Sequence, residues 1–490
     1  MRTLLSITIC SLFLGCFEET KAQTNSSPNV VFFLVDDLGW TDLGSFGSEF
    51  YETPNLDKLV NSGIKFTQAY TASPVCSPTR ASIMTGKYPS KIYNTDWFGA
   101  PQPDEIQGHW TRNKPLKPAT YDPNLSLDEI TLAEAFKSVG YKTFFAGKWH
   151  LGEEESHWPE NQGFDFNKGG NNKGAPSSGN KYFSPYDNPR LENGPEGEYL
   201  PERLAMETVR FIRDNKDAPF FAMLSFYSVH TPLMTKPELE KKYLDKKVSL
   251  RLEDKFGPEG NNQARMTQSH AIYAGMVEAM DQAVGRVIDE IEVSGLRENT
   301  IFVFFSDNGG LSTAEGSPTS NLPLKAGKGW LYEGGIRVPM ILSWKGQLVE
   351  GKEIHTPVIS NDIFPTLLDL SGNPQVLDSI EDLDGKSLKS WVFNTEEKKI
   401  REPLFWHYPH YGNQGGSPGS VIREGDWKLI YFYENQKSEL YNLKEDIGEQ
   451  NNLVDSRADL AEEMKNKLFQ WLISTKAGLP RPNEDYDPSK

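Results

Sequence analysis

Apolar runs alternate with helix-period segments along most of the chain. Four runs, at 29–37, 141–146, 219–227 and 300–306, are typical of strands buried on both faces. Segments at 127–139, 201–215 and 270–293 carry the apolar spacing of helices. Because strands alternate with helices, the pattern predicts an α/β fold with a mixed, mostly parallel sheet flanked by helices.

The pattern changes after residue 388. Short runs at 404–408, 420–423, 427–433 and 438–442 predict antiparallel strands, and an amphipathic stretch at 460–475 predicts a last helix. We therefore predict a main domain at 28–395 and a smaller C-terminal α+β subdomain at 396–490 that carries a short antiparallel sheet.

Residues 1–22 have the pattern of an export leader. Arg2 precedes an apolar run at 4–15 that is too short to span a bilayer. Two kinds of processing fit this leader. Either Cys16 becomes a lipidated N-terminus, because the preceding residues resemble an imperfect lipobox, or cleavage follows Ala22. We expect a periplasmic or cell-surface protein without a transmembrane segment beyond the leader.

Composition narrows the class of protein. The 490 residues include 51 basic and 68 acidic side chains, a net charge of −17, and 37% hydrophobic residues. This balance fits a soluble globular enzyme and argues against nucleic acid as a partner, since no basic footprint is present. An anionic substrate would require a local cluster of cations, because the overall field repels it.

Reactive polar residues follow each of the four predicted strands. In chain order they are Asp36 and Asp37, Lys148 and His150, His230, and Asp307 and Asn308. Ligand sites in open α/β sheets lie beyond the carboxyl ends of the strands, so we expect these groups to converge. Three carboxylates and an amide offer hard oxygen ligands, which suit Ca²⁺ or Mg²⁺.

Cys76 is the single cysteine outside the leader, which excludes an intramolecular disulfide in the body of the chain. Ser77 as N-cap, Pro78 at the first helical position and Gly86 at the end predict a short helix after it. Cys76 would then lie at a helix N-terminus with Arg80 one turn later, which is the outline of an oxyanion site.

The segment C-S-P-T-R followed by A-S-I-M-T-G resembles the signature of the type I, formylglycine-dependent sulfatases of the alkaline-phosphatase-like superfamily. The resemblance implies that a sulfatase-maturing enzyme converts Cys76 to formylglycine, the catalytic aldehyde. It also extends to the C-terminal R-E-G-D-W-K-L and E-L-Y-N-L segments.

The resemblance assigns roles to the converging residues. Asp36, Asp37, Asp307 and Asn308 match the calcium ligands of the family, with an oxygen of modified Cys76 in the same shell. The remaining catalytic positions match Arg80, Lys148, His150, His230 and Lys328. Lys325 competes with Lys328, and the G-K-G context favours Lys328. A small polar sulfate contact after His150 stays unassigned.

The family mechanism explains these residue types. One hydroxyl of hydrated formylglycine attacks sulfur, while Ca²⁺, Arg80, Lys148 and Lys328 hold the sulfate oxygens. In the family mechanism His230, either alone or together with Lys328, then protonates the departing alcohol. His150 takes the proton of the second hydroxyl, which expels sulfate and restores the aldehyde; such proton transfers contribute roughly 10²–10⁴-fold.

The expected substrate is a sulfated polysaccharide or oligosaccharide, by analogy with the family. Two long segments, 88–123 and 163–201, predict loops over the site. Their aromatic residues, Trp97, Phe98, Trp110 and Trp158, would offer platforms for sugar faces. His407, His410 and Arg423 are further candidates for sugar contact, although ordinary strand and loop positions explain them equally well.

Two other functions stay open at this point. A phosphonate monoester or phosphodiester hydrolase of the same superfamily would handle an anion of similar shape. An inactive, glycan-binding surface lipoprotein would keep Cys76 as a thiol. The presence of every charged catalytic position disfavours the second alternative.

Overall fold

The structure is a computed structural model that describes residues 27–176, 182–393 and 402–489. The predicted leader, with its alternatives at Cys16 and Ala22, lies outside these residues, as does the predicted domain boundary at 395–396. None of the helices in the described ranges combines the length and the apolar character that a bilayer crossing requires.

The main domain is built on a nine-stranded sheet. Its strands are β1 Asn29–Val35, β2 Ile64–Tyr70, β3 Lys142–Gly147, β4 Phe166–Lys168, β5 Phe220–Ser225, β6 Thr300–Ser306, β7 Arg337–Trp344, β8 Lys352–Ile354 and β9 Val358–Ile359. Their order is β8-β2-β7-β6-β1-β5-β3-β4, with β9 also pairing with β2. Only β7 runs antiparallel to its neighbours among these strands, so the predicted mixed, mostly parallel sheet is confirmed.

Helices cover both faces of this sheet, because alternate residues of a strand point to opposite sides. Val31 and Phe33 of β1 share a core with the helices at 200–215, 237–249 and 271–293, whereas Val30 and Phe32 share another with the helices at 76–85, 132–138 and 363–370. The helices are α1 Pro54–Asn61, α2 Cys76–Thr85, α3 Leu132–Ser138, α4 Leu200–Asn215, α5 Pro237–Ser249, α6 Ala271–Val293, α7 Glu333–Ile336, α8 Ile363–Leu370, α9 Lys389–Val392 and α10 Ala458–Ser474.

The C-terminal part forms the predicted small antiparallel sheet and a last helix. Its strands follow in the order β10 Leu404–Tyr408, β11 Gly419–Glu424, β12 Trp427–Phe432 and β13 Lys437–Asn442. One face packs on α10, and the other packs on residues of the main domain, including Tyr70. The indole of Trp406 donates to the Thr71 carbonyl oxygen at 2.7 Å. The small sheet therefore shares a core with the main domain.

The starts of α3 and α2 differ from the sequence prediction because of identifiable hydrogen bonds. Helix α3 begins at Leu132 rather than at residue 127, because Thr131 and Glu134 form a capping box with bonds of 3.1 and 2.8 Å. Helix α2 begins at Cys76 itself, with Val75 as the N-cap residue. The predicted cap residue, Ser77, lies inside the helix, and its hydroxyl accepts from the Phe98 N–H instead.

Candidate active site

The carboxylates predicted to converge lie together at the carboxyl ends of β1 and β6. These strands pair in parallel, with Val35 opposite Ser306, so the residues that follow them are neighbours. The Asp37 N–H donates to Asp307 Oδ1 at 3.2 Å, and Asn308 Nδ2 donates to Asp37 Oδ1 at 2.8 Å. All of these side chains, including Asp36, are buried.

Each carboxylate faces one buried cation. Lys148 Nζ lies 2.7 Å from Asp36 Oδ2, and Lys328 Nζ lies 2.8 Å from Asp37 Oδ1. Arg80 approaches Asp307 Oδ2 through Nη2 at 2.7 Å and through Nε at 2.8 Å. Buried charges persist in proteins when they are paired in this way.

Two oxygen atoms at this cluster fit a divalent cation. Asp36 Oδ1 and Asn308 Oδ1 are buried, and neither accepts a hydrogen bond from the described residues. A buried acceptor without a donor is costly, and a hard cation satisfies it. Ligand atoms of Asp36, Asp37 and His230 also lie within 4.8 Å of one another. Burial, together with the charges of Asp307 and Asp37, raises the pKa of Asp36 well above its ordinary value, as expected for carboxylates that share one centre.

Cys76 opens helix α2 beside His150. Its Sγ lies 3.4 Å from His150 Nδ1, and Ser77 Oγ lies 3.2 Å from the same nitrogen. His150 Nε2 lies 2.8 Å from the Phe98 carbonyl oxygen, which can only accept, so Nε2 carries the proton. Nδ1 therefore presents a lone pair to residue 76. Burial and the neighbouring Lys148 lower the His150 pKa well below its ordinary value, which keeps the ring neutral and able to accept a proton.

His230 approaches the cluster from the loop after β5. Its Nδ1 donates to the Thr231 carbonyl oxygen at 2.6 Å, and its Nε2 lies 3.8 Å from Asp37 Oδ2. Burial and then the Lys328 charge lower the His230 pKa to about 4. The imidazole thus points one titratable nitrogen at the same centre.

A cavity of about 650 Å³ opens above Cys76. Its wall combines charged, amide and aromatic side chains from both domains. These residues are Val75, Cys76, Trp97, Phe98, Gly99, His150, Glu153, Asn172, Lys173, Gly174, Ala175, Pro176, His230, Glu315, Lys328, Tyr408, Gly412, Asn413 and Gln414. Both predicted loop segments contribute to it, through 97–99 and 172–176.

Two predicted sulfate-binding cations take up a different position. Arg80 and Lys148 do not line the cavity, and their side chains are 3% and 0% exposed. Arg80 Nη1 also donates to the Lys148 carbonyl oxygen and to Ser225 Oγ, at 2.7 and 2.8 Å. Their contacts in this structure therefore hold Asp307 and Asp36 in place, while Lys328 is open to the cavity.

The three residues of the C-terminal part that were candidates for sugar contact, His407, His410 and Arg423, do not line the described cavity. His407 is buried, with its ring nitrogens 2.7 Å from Ser420 Oγ and 2.8 Å from the Gly478 carbonyl oxygen. These contacts give it a structural role, and the described cavity wall does not include it. His410 pairs with Thr95, and Arg423 pairs with Gln68.

Among the predicted aromatic platforms, Trp97 and Phe98 line the cavity, whereas Trp110 and Trp158 do not. The sequence pattern indicated Ser77 as a helix cap and not as a neighbour of His150, and it did not indicate the cavity residues Glu315, Asn413 and Gln414. The small polar sulfate contact after His150 was left unassigned in the sequence. The pair of asparagines at 171–172 in the Gly-rich segment is the signal that could have indicated it, and Asn172 lines the cavity.

Comparison with known proteins decides the family. The model of the Sulfatase family matches residues 28–373. The chain belongs to the sulfatase family. A second model, described as N-sulphoglucosamine sulphohydrolase, C-terminal, matches residues 326–474 of this sulfatase. The protein is therefore a sulfuric ester hydrolase with an alkaline-phosphatase-like fold, as the signature around Cys76 implied.

Relatives of this sulfatase include a "Sulfatase" of Formosa agariphila, 34% identical over 94% of this chain and 91% of the relative. An "Ulvan-active sulfatase" of the same organism is 29% identical over 92% of this chain and 82% of the relative. The crystal structure of Ps i-CgsB in complex with k-i-k-neocarrahexaose is similar with a TM-score of 0.73 and 30% identity, over 91% of this chain and 93% of that chain.

Proposed function

We propose that this sulfatase removes sulfate from a sulfated polysaccharide or oligosaccharide. The observation that carries the proposal is the cavity of about 650 Å³, whose wall contains Cys76 and Lys328 together with Trp97 and Phe98. A cavity of this size accepts a sugar unit, and aromatic walls suit sugar faces. The likeness to an ulvan-active sulfatase and to a structure with a bound neocarrahexaose supports the same substrate class.

A divalent cation, Ca²⁺ or alternatively Mg²⁺, would be held by Asp36, Asp37, Asp307 and Asn308. The unpartnered Asp36 Oδ1 and Asn308 Oδ1 support this ligand set. A bound cation would supply positive charge next to the sulfate oxygens. Arg80 and Lys148 orient Asp307 and Asp36 through the ion pairs described above, and Lys328 binds sulfate from the cavity side.

Residue 76 would act as formylglycine, made by a sulfatase-maturing enzyme, and the hydrated aldehyde would supply the attacking hydroxyl. His230 would protonate the leaving oxygen from Nε2 in the doubly protonated form of its ring, since Nδ1 donates to the Thr231 carbonyl oxygen and Nε2 lies on the cavity side. After the alcohol leaves, His150 would take the proton of the second hydroxyl, which expels sulfate and restores the aldehyde; its Nδ1 lone pair faces Sγ of residue 76 at 3.4 Å.

The decisive experiment measures sulfate release. Protein co-expressed with a maturing enzyme is incubated with sulfated galactan, ulvan and glycosaminoglycan oligosaccharides, with Cys76→Ala as the matched control. We expect release from at least one glycan class and none from the variant. An enzyme that turns over an aryl phosphate diester faster than every sulfate ester would instead be the phosphodiester hydrolase.

The modification has its own test, independent of substrate. Mass spectrometry of the peptide that contains Cys76 should show the aldehyde in place of the thiol in active protein. An intact thiol at full specific activity would reject the formylglycine proposal.

The metal proposal is tested by thermal unfolding as well as by activity. Because a cation that binds only the folded state stabilises it by mass action, EDTA should lower Tm, and excess Ca²⁺ should restore it. An unchanged Tm after exhaustive chelation, confirmed by elemental analysis, would contradict the site. Asp307→Ala should lose the Ca²⁺-dependent part of Tm.

We also propose that the protein is exported and acts in the periplasm or at the cell surface. The basis is the pattern of residues 1–22. Fractionation of cells should find the protein outside the cytoplasm. Cys16→Ala should release it from the membrane fraction if Cys16 carries the lipid, and should leave it soluble as before if cleavage follows Ala22.

A further inference from the structure

A carboxylate lies in the wall of a cavity that binds an anionic group. Two acidic side chains, Glu153 and Glu315, line the cavity together with the cations Lys173 and Lys328. Because a carboxylate repels sulfate, a carboxylate in this wall indicates contact with a part of the substrate other than the sulfate group. Glu315 is distinguished from Glu153 by the protein groups that hold it.

Three donors from two separate parts of the chain hold Glu315. Thr231 Oγ1 donates to Oε2 at 2.8 Å, while Asn413 Nδ2 and Gln414 Nε2 donate to Oε1 at 3.1 Å each. Asn413 and Gln414 belong to the loop between β10 and β11 of the small sheet. Glu315 also has φ at +53°, a conformation that non-glycine residues seldom adopt. Glu315 is exposed, yet these contacts hold its side chain in one position.

The carboxylate keeps its charge and one acceptor position. Burial raises its pKa, but the Lys328 charge and the Thr231 hydrogen bond outweigh burial and lower the pKa below the ordinary value of a glutamate. A carboxylate accepts about four hydrogen bonds, and three are made by the side chains named above. The remaining position on Oε2 suits a hydroxyl or N–H donor and repels a sulfate or carboxylate.

The position of Glu315 relates it to the leaving group. Its partner Thr231 follows His230 directly, and His230 is the proposed proton donor to the leaving oxygen. A donor that meets Glu315 therefore belongs to the alcohol half of the ester, close to the sulfated carbon. In a sugar, that donor is a free hydroxyl next to the sulfated position.

We propose that Glu315 is a specificity-determining residue that accepts a hydrogen bond from a free sugar hydroxyl near the sulfate ester and excludes a second anionic group there. This inference rests on the proposed glycan substrate and adds to it a preference for units with a neutral neighbouring position. Asn413 and Gln414 are positioning residues, because they act by holding the Glu315 carboxylate.

The test is a ratio of two substrates. For each variant, kcat/KM is measured on a monosulfated oligosaccharide that the wild-type enzyme cleaves and on an aryl sulfate that has no sugar hydroxyl. Glu315→Gln should lower the oligosaccharide-to-aryl ratio by about 10- to 100-fold, the worth of a charged hydrogen bond. Glu153→Gln, the charge control, should change the ratio less than threefold. Equal Tm values verify folding.

A second comparison uses an oligosaccharide with a further sulfate beside the cleaved one. The wild-type enzyme should disfavour it, and Glu315→Gln should reduce that discrimination at least about tenfold, since the repelling charge is gone. A ratio that stays within threefold in Glu315→Gln, or that falls equally in Glu153→Gln, overturns the inference alone. A wild-type enzyme that cleaves the aryl sulfate but no glycan overturns the proposed function and the inference with it.

Discussion

At the scale of single residues, side chains of the same type have different contacts and different roles in the site. His150 and His230 have lowered pKa values through burial, yet the first turns a lone pair to residue 76 and the second turns Nε2 to Asp37. Lys148 is enclosed, whereas Lys328 meets the cavity. Residue type alone does not separate these roles; the fixed hydrogen-bond partner of each ring or ammonium group does.

His150→Ala should lower kcat about 10²–10⁴-fold and change KM much less, because a proton acceptor is lost while the cavity keeps its other walls. In the proposed sequence His150 acts after alcohol release, so the variant should show a burst of one phenol per enzyme from an aryl sulfate. Stopped-flow kinetics measures both. His355→Ala, an exposed histidine outside the cavity, serves as the control. A kcat within fivefold of the wild type would contradict the role.

Asp96 gives a pH prediction. Burial raises its pKa to about 8. Its Oδ1 accepts a hydrogen bond from the Tyr408 hydroxyl, and its Oδ2 lies 3.3 Å from His410 Nδ1. Burial lowers the pKa of His410 well below its ordinary value, so this ring is neutral. The folded state therefore holds a proton that the unfolded chain releases near pH 4, and the free energy of unfolding should fall as pH rises from 4 to 8.

Asp96→Asn should remove this pH dependence, because the amide keeps the acceptor and donates permanently to His410. Between pH 5 and pH 8, the free energy of unfolding of the variant should rise by at least about 1 kcal/mol relative to that of the wild type. A pKa difference of one unit corresponds to about this free energy. Urea unfolding at three pH values measures it. Asp217→Asn, at an exposed carboxylate, should show no such trend. If the free energies of unfolding of Asp96→Asn and the wild type differ by the same amount at all three pH values, Asp96 is not protonated in the folded state.

At the scale of elements, the site depends on two loops that pass very close to each other. The segment after β6 and the segment at 326–335 carry Asp307 and Lys328, and the Gly309 N–H donates to the Gly335 carbonyl oxygen at 2.9 Å. A Cβ at Gly309 would lie 1.9 Å from the Gly334 carbonyl oxygen. The glycine is thus needed for the contact between loops, which brings Lys328 to Asp37.

Gly309→Ala should destabilise the fold by about 3 kcal/mol or more, because a backbone atom cannot move aside as a flexible side chain can. Gly108→Ala is the matched control, since nothing lies within 4 Å of its Cβ position; we expect a change below about 0.5 kcal/mol. The urea midpoint decides between these outcomes. A Gly309→Ala midpoint equal to that of the control would mean that the loops separate without cost.

The helix ends show how far local pattern reaches. Glu134 and Thr131 are a capping pair visible in the sequence, yet the apolar residues before them extended the predicted helix by several positions. Leu127 and Ile130 are exposed, so their hydrophobicity carried no information about the helix. The helix predicted after Cys76 is confirmed, but it begins at Cys76 rather than after a Ser77 cap. The Ser77 hydroxyl accepts a hydrogen bond from the Phe98 N–H, which is distant in sequence, instead of capping the helix.

At the scale of the whole molecule, the small sheet is fastened to the main domain by buried charge. Lys428 Nζ lies 3.0 Å from Glu333 Oε1 and 2.9 Å from Glu449 Oε1, and all three side chains are fully buried. Glu333 belongs to the segment that follows Lys328. The ion cluster thus joins the C-terminal part of the chain to the loop that completes the site.

Lys428→Met should cost about 3–5 kcal/mol of stability, because two buried carboxylates lose the cation they share and only Glu333 keeps another, Arg337 at 3.4 Å. Lys467 is a matched control: it also bridges two glutamates, Glu424 and Glu463, but at the surface. Lys467→Met should cost less than about 1 kcal/mol. Chemical denaturation of both variants tests the contrast, and similar losses would show that burial does not govern this cluster.

Local sequence patterns sufficed for the strands, for the polar residues at their ends and for the signature at 76–86, because period, turn chemistry and motif spacing are properties of neighbouring residues. The contacts that give those residues their roles depend on register and on loop packing. Asp37 and Asp307 meet across 270 positions because Val35 pairs with Ser306. Arg80 holds Asp307, and Asn413 and Gln414 hold Glu315, through contacts between segments far apart in the chain, which no local pattern encodes.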